Sequence, residues 1–206
     1  MNDSGNRDRL LDPHLPPNSS RPPLVVPVPI SLRPWDPADA DDLIEIFTTS
    51  DDLASQYPQS ITDFDSAQRC LAELLGWDER RHNFAITVAG TVVGNVGVST
   101  IERRHHTGWV SYFSSGAVRG RGLVSRSTTA VANWALTDLG LFRLELGHRA
   151  NNPASGAVAV AAGFELEGRE RQKLLYGDER FDTLVYGRLA TDPAPSVQDV
   201  ALVLTT

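Results

Sequence analysis

The chain contains one cysteine, Cys70, and one methionine. A lone cysteine excludes any intrachain disulfide and fits a reducing compartment. Cys70 falls on the apolar stripe of an expected helix, Cys70 to Leu75, which predicts a buried structural thiol rather than a nucleophile. The histidines His14, His82, His105, His106 and His148 show no metal-ligand spacing among themselves or with Cys70, so no metal is expected. No apolar run is long enough to span a bilayer. The first residues are polar and show no positive-then-apolar leader, so the cytoplasm is the expected location. A basic excess is missing too: 19 Lys and Arg stand against 26 Asp and Glu, a net charge of -7. That balance argues against a general nucleic-acid binder, which needs a cationic face for phosphates. The short cluster Arg103-Arg104-His105-His106 reads as a solvated strand end.

With 206 residues and 41% hydrophobic side chains, the chain suits one domain plus tails. Residues 1–27 are rich in Pro, Asn, Ser and charge and are expected to be a disordered tail. The domain is expected over 28–190, with a C-terminal tail over 191–206. Ile30 to Trp35 alternates as a strand does. Asp36-Pro37-Ala38-Asp39 carries the signals of a helix start, followed by Ala40, Leu43, Ile44 and Phe47 at helical spacing. A second helix is expected from Asp65. Two β-branched runs, 84–88 and 91–98, flank Ala89-Gly90 as a hairpin. A third strand is expected at 108–113, a helix ending near Leu136, a strand at 141–146, a short helix at 153–162 capped by Gly163, and a final hairpin of 164–175 with 181–189. The expected order is β-α-α-β-β-β-α-β-α-β-β, an α/β mixture with antiparallel hairpins at both ends.

The turn Arg119-Gly120-Arg121-Gly122-Leu123-Val124 joins a strand to a helix. Glycines let a backbone approach a phosphate closely, and a helix start offers unpaired N–H groups and positive potential. Arg119 and Arg121 add charge. The turn therefore reads as a pyrophosphate cradle, with an ordinary strand-to-helix turn as the plain alternative. It is neither a Gly-Lys-Ser/Thr triphosphate loop nor a dinucleotide fingerprint, because Ser125 stands where the third glycine belongs.

These residues resemble the GNAT N-acetyltransferase superfamily, in particular the RimJ/RimL-like ribosomal-protein N-acetyltransferases. Arg119 to Val124 is similar to the pyrophosphate motif Gln/Arg-x-x-Gly-x-Gly/Ala and departs from it only at Val124. Asn152-Pro153-Ala154-Ser155 matches the subgroup's Asn-x-x-Ser. Gly163-Phe164-Glu165-Leu166-Glu167-Gly168 resembles its Gly-Phe-x-x-Glu-Gly, and Leu32-Arg33-Pro34-Trp35 its opening strand. The likeness spans about 28–190. It implies a mixed, mostly antiparallel sheet with flanking helices, in which two parallel strands splay apart near 108–113 and 142–147. It further implies acetyl-CoA as co-substrate, held by Arg119, Gly120, Arg121, Gly122, Leu123 and Val124, by backbone near Tyr112 and Phe113, and by Asn152.

Acetyl transfer to an amine needs a neutral amine, a polarised thioester carbonyl and a proton for the departing thiolate. Direct attack in a ternary complex gains chiefly from positioning and oriented donors. The resemblance makes Ser155 the proton donor near the CoA sulfur, with Asn152 orienting pantetheine or water; the plain alternative is that Asn152 caps the helix and Ser155 merely sits in its first turn. The strand glutamate that many relatives use as base is replaced here by Trp109. Glu167, Glu170 and His148 are the replacement candidates, with Glu167 preferred, and a water relay stays open. The stretch 36–65 holds Asp36, Asp39, Asp41, Asp42, Glu45, Asp51, Asp52, Asp63 and Asp65 with no Lys or Arg. It reads either as a negative wall that draws a cationic amine or as helix-start acids. The expected acceptor is a protein N-terminus or a small cationic amine, with no nucleic acid or membrane partner and a homodimer left open. A non-catalytic acyl-CoA-binding module is the alternative.

Overall fold

The computed structural model describes residues 29–54 and 60–204. The expected tail 1–27 lies outside them. The elements are β1 (Ile30–Pro34), a 3-10 turn (Pro37–Asp39), α1 (Ala40–Thr48), α2 (Asp51–Ala54), α3 (Phe64–Glu73), β2 (Trp77–Asp78), β3 (Arg81–Val88), β4 (Thr91–Glu102), β5 (Thr107–Ser114), a second 3-10 turn (Gly116–Val118), α4 (Leu123–Thr137), β6 (Arg143–Arg149), α5 (Pro153–Ala161), β7 (Glu165–Tyr176), β8 (Glu179–Leu189) and β9 (Val200–Leu202). The strands form one mixed sheet in the order β7-β8-β6-β5-β4-β3-β1-β9, with β2 beside β3. The sheet is antiparallel except where β5 meets β6 and β1 meets β9.

Alternation along the strands sorts the side chains into two cores. Val96, Val98, Val110, Leu144 and Leu146 face α4 and α5, where Val131, Ala135 and Ala159 complete one apolar layer. Ala85, Val92 and Phe113 face the opposite way, onto Leu43, Ile46, Phe47, Ala67 and Leu71 of α1 and α3. Cys70 is buried in that second layer, and burial pushes its thiol up to about 11, so it stays protonated and inert.

The segment expected as a C-terminal tail instead crosses the α4 face and supplies β9. Pro195 packs over Gly163, Asn133 donates to the Pro195 carbonyl at 3.2 Å, and β9 then pairs in parallel with β1. Beneath this segment the guanidinium of Arg188, 1% exposed, donates to the Ala162 carbonyl at 3.0 Å and to Asn133 at 2.7 Å. It ties the end of α5 to α4.

The parallel seam positions the site. β5 and β6 pair only through Thr107, Gly108 and Trp109 with Arg143, Leu144 and Glu145. Beyond Trp109 both strands continue, β5 to Ser114 and β6 to Arg149, without pairing to each other. The peptide groups on their facing edges are left for something else to satisfy.

Candidate active site

The splay opens into a cleft of about 420 Å³. Tyr112, Phe113 and Ser114 of β5 line one side, Asn152, Ala154 and Ser155 of α5 the other. Val118 to Gly120 and Gly122 to Ser125 close the end nearest α4, and Asp52 and Leu53 of α2 form its outer rim.

The turn into α4 has the backbone that its glycines predicted. Gly120 and Gly122 hold φ of 76° and 71°, in the left-handed region, and a Cβ on either would meet nothing within 4 Å. Space and conformation are thus both set aside above the helix start. The first intrahelical bond runs from Arg126 N–H to the Gly122 carbonyl at 3.1 Å, so the N–H groups of Leu123, Val124 and Ser125 precede the helical ladder and point outward. Leu123 buries its side chain in the core while its amide stays at the mouth. Arg119 donates to Asp52 at 3.0 Å and to the Ser114 carbonyl at 3.2 Å. Arg121 is exposed. This N–H array, with flanking guanidinium groups, suits a pyrophosphate.

On the far side, Pro153 begins α5 and Asn152 caps it, its side-chain oxygen accepting from Ser155 N–H at 3.2 Å. Ser155 is thereby fixed in the first turn, half-buried at the cleft wall. The sequence reading gave Tyr112 only a backbone role. Its hydroxyl in fact reaches across the splay and donates to the Ser155 carbonyl at 2.9 Å. Burial pushes this phenol up to about 12, so it stays a neutral donor.

The candidate bases do not gather here. Glu167 lies in the bulge of β7 near the closed end of the seam, where Arg143 grips it with both guanidinium nitrogens, one contact being 2.8 Å. Arg143 holds its carboxyl below the ordinary range, which suits a counter-ion rather than a base. Glu170 pairs with Lys173 at 2.6 Å. His148 is neither a surface residue nor a cleft residue. It is buried against α5, with Nδ1 2.8 Å from the Arg149 carbonyl and Nε2 3.3 Å from the Tyr186 hydroxyl. Among the described cleft-lining residues the one carboxylate is Asp52, engaged by Arg119.

The acidic stretch resolves mainly into local bonds. Asp36 and Asp63 cap helical turns, Asp39 takes Arg33 through two 2.7 Å contacts, and Asp42 accepts from Val92 N–H at 2.9 Å. The Asp51 side chain lies outside what the structure describes. Of these acids, Asp39 and Asp52 are paired with arginines, and Asp36, Asp42 and Asp63 hold backbone amides.

A second surface adjoins the cleft on the opposite face of the sheet. Alternation places Trp109 and Ser111 of β5, Gly147 and Arg149 of β6, and Thr183 and Val185 of β8 on one face. Helices α1 and α3 pack on β3, β4 and Phe113, leaving Ser111 exposed although it sits mid-sheet. The Trp109 indole lies across β6: a Cβ on Gly147 would come within 3.1 Å of it and 3.0 Å of Thr183. Among the described residues this leaves an open strip, or trench, along the strands at Trp109 and Ser111.

Comparison with known proteins agrees with this geometry. The acetyltransferase (GNAT) domain family matches residues 30–165. The chain is 25% identical over 154 residues to the probable N-acetyltransferase YjcK of Bacillus subtilis, covering 70% of this chain and 85% of that protein. It is 27% identical over 106 residues to the ribosomal-protein-serine acetyltransferase of Escherichia coli, covering 52% and 59% respectively. Its fold is shared with RimL, a ribosomal L7/L12 alpha-N-protein acetyltransferase solved with coenzyme A, at a TM-score of 0.73 and 22% identity over 79% of this chain and 96% of that one. A sheet split at β5 and β6, a glycine turn at the head of α4 and a family match that runs across both make the chain an acetyltransferase of the GNAT family, with acetyl-CoA as its co-substrate.

Proposed function

We propose that the chain transfers the acetyl group of acetyl-CoA to the amino terminus of a polypeptide, by direct attack of the amine within a ternary complex. The observation that carries this reading is the trench. A small amine is usually enclosed, whereas here the exposed Ser111 and half-buried Trp109 floor an open surface on the face opposite α4 and α5. An extended peptide can lie along such a surface with its first residue over the splay.

The residues divide the work as follows. The amides of Leu123 to Ser125, with Gly120, Gly122 and the guanidinium groups of Arg119 and Arg121, hold the pyrophosphate. The unpaired edge of β5 near Tyr112 and Phe113 aligns the pantetheine arm, and the thioester so presented is the acyl donor. Ser155, fixed by the Asn152 cap, supplies a proton toward the leaving sulfur. Tyr112 braces Ser155 across the cleft and keeps its own proton at neutral pH. With the cleft's carboxylate committed to Arg119, the amine loses its proton to water. Positioning then supplies most of the rate gain.

The test is an acetylation screen with mass detection across N-terminal peptides, polyamines, aminoglycosides and simple amines. Acetylation of peptide α-amines above the others is expected. Turnover confined to polyamines or aminoglycosides would overturn the peptide assignment.

A further inference from the structure

We propose that Arg149 is an anion receptor at the end of the acceptor trench, and that it selects polypeptide amino termini carrying an acidic side chain at the second or third residue. The inference rests on the acceptor reading above and deepens it.

Arg149 ends β6 on the same face as Trp109 and Gly147. Trp109 is level with Glu145, and four residues further along each strand stand Phe113 and Arg149. Arg149 is thus alongside the open part of the splay, and its carbonyl accepts from Asn152 N–H at 2.9 Å, one turn ahead of Ser155. A peptide rises ~3.3 Å per extended residue, so a side chain one or two residues beyond the reacting amine comes level with it.

Its surroundings prepare the guanidinium for a carboxylate. The carbon at its centre stands 4.5 Å from the Tyr176 ring centroid and 5.4 Å from that of Phe181. These rings, on the β7–β8 hairpin, meet edge to face at 5.9 Å. The rings attract the cation without using up its N–H donors, which stay available for bidentate binding of a carboxylate. Among the described residues those N–H groups have no hydrogen bond or ion pair. Three nearby cations are committed to carboxylates, Arg143 to Glu167, Arg169 to Asp182 and Lys173 to Glu170, while Arg180 donates to the Gln172 carbonyl. An arginine set against two rings and holding no carboxylate of its own among the described residues is preorganised for an external one.

The experiment uses the full chain in saturating CoA. Peptides with a free amino terminus, Asp or Asn at positions two and three, an amidated C-terminus and a C-terminal fluorophore are titrated by anisotropy. The wild type should bind the Asp peptides more tightly. Arg149→Gln should weaken Asp-peptide binding roughly 10- to 100-fold while leaving Asn peptides unchanged. Tyr176→Leu, which loosens the stack without removing charge, should fall between. With acetyl-CoA, the loss should appear in KM rather than kcat, and the thermal response to acetyl-CoA should be unaltered. Competition by free amino acids against their amides separates the sources of carboxylate: displacement by free α-carboxylates alone, with no Asp-over-Asn preference, overturns the peptide assignment. Equal affinities for Asp and Asn peptides, or equal losses in Arg149→Gln, overturn the receptor itself. Binding is read without turnover, so Asp-selective binding with no acetylation of any peptide would sink the proposed activity and leave the Arg149 site standing.

Discussion

Gly122 separates the stability of the fold from its capacity to bind, because it holds left-handed backbone with empty space where a Cβ would go. Replacement by Ala costs the protein only the backbone strain, about 1 kcal/mol, or roughly 2–4 °C in a domain of this size. Asp tolerates left-handed backbone better than Ala and places its charge at a helix start, so Gly122→Asp should melt at or above Gly122→Ala without ligand. Ligand response should rank the other way. A carboxylate ~4 Å from a bound phosphate charge costs between ~1 kcal/mol in bulk water and ~4 kcal/mol at an effective dielectric of 20. A middle value near 2.7 kcal/mol is about a 100-fold weaker Kd. Acetyl-CoA at 100 times the wild-type Kd stabilises by ~2.7 kcal/mol, a rise of roughly 5–10 °C. The same concentration would then equal the Kd of Gly122→Asp and give ~0.4 kcal/mol, a rise of roughly 1–2 °C. Differential scanning fluorimetry across an acetyl-CoA series reads both rankings. A Gly122→Asp protein with the full wild-type response would refute the cradle.

Ser155→Ala should keep the acetyl-CoA response and lower kcat by roughly 10²-fold, measured by thiol release; a change within twofold would reduce Ser155 to a helix residue. Glu167→Gln should leave kcat within about twofold and cost about 1 kcal/mol in a urea melt, because Glu167 is exposed and its Arg143 partner only half-buried. A large kcat loss there would restore Glu167 as the base. His82 is buried with neither ring nitrogen hydrogen-bonded among the described residues, and burial lowers its basicity below the ordinary 6.5. The unfolded chain then takes up the proton first. His82 should cost nothing above pH ~6.5 and destabilise increasingly below it, by at most ~1.4 kcal/mol per pH unit. His82→Phe should flatten that part of the melting-temperature profile between pH 5 and 7, and an unchanged profile would show that His82 does not titrate.

The regular elements were legible where local chemistry decides them. Asp36-Pro37 announces a helix start and Ala89-Gly90 the β3–β4 hairpin, while α3, expected from Asp65, begins at Phe64 under an Asp63 cap. β9 was missed because three residues carry too little alternation, and its partner β1 lies far away in sequence. The same distance hid the bond between Arg143 and Glu167 and the reach of the Tyr112 hydroxyl to Ser155. The acidic run left two readings open for the opposite reason. Summed charge suggested a field, but Asp39 and Asp42 are spent one at a time on Arg33 and a strand amide. The splay was readable only through resemblance, since nothing in the β5 or β6 residues marks where their pairing stops.

Three residue pairs join β5 to β6, so backbone pairing between β7, β8 and β6 on one side and β5, β4, β3, β2, β1 and β9 on the other is a short weld, while the apolar layer under α4 and α5 runs across both. The free energy that protects amides from solvent need not be uniform across such a joint. In the free protein the upper halves of β5 and β6 are expected to exchange faster than the strands behind them. A ligand that supplies rungs between the halves slows that exchange on both at once. A ligand held in the cleft would then complete the pairing between β5 and β6 that the chain itself leaves unmade.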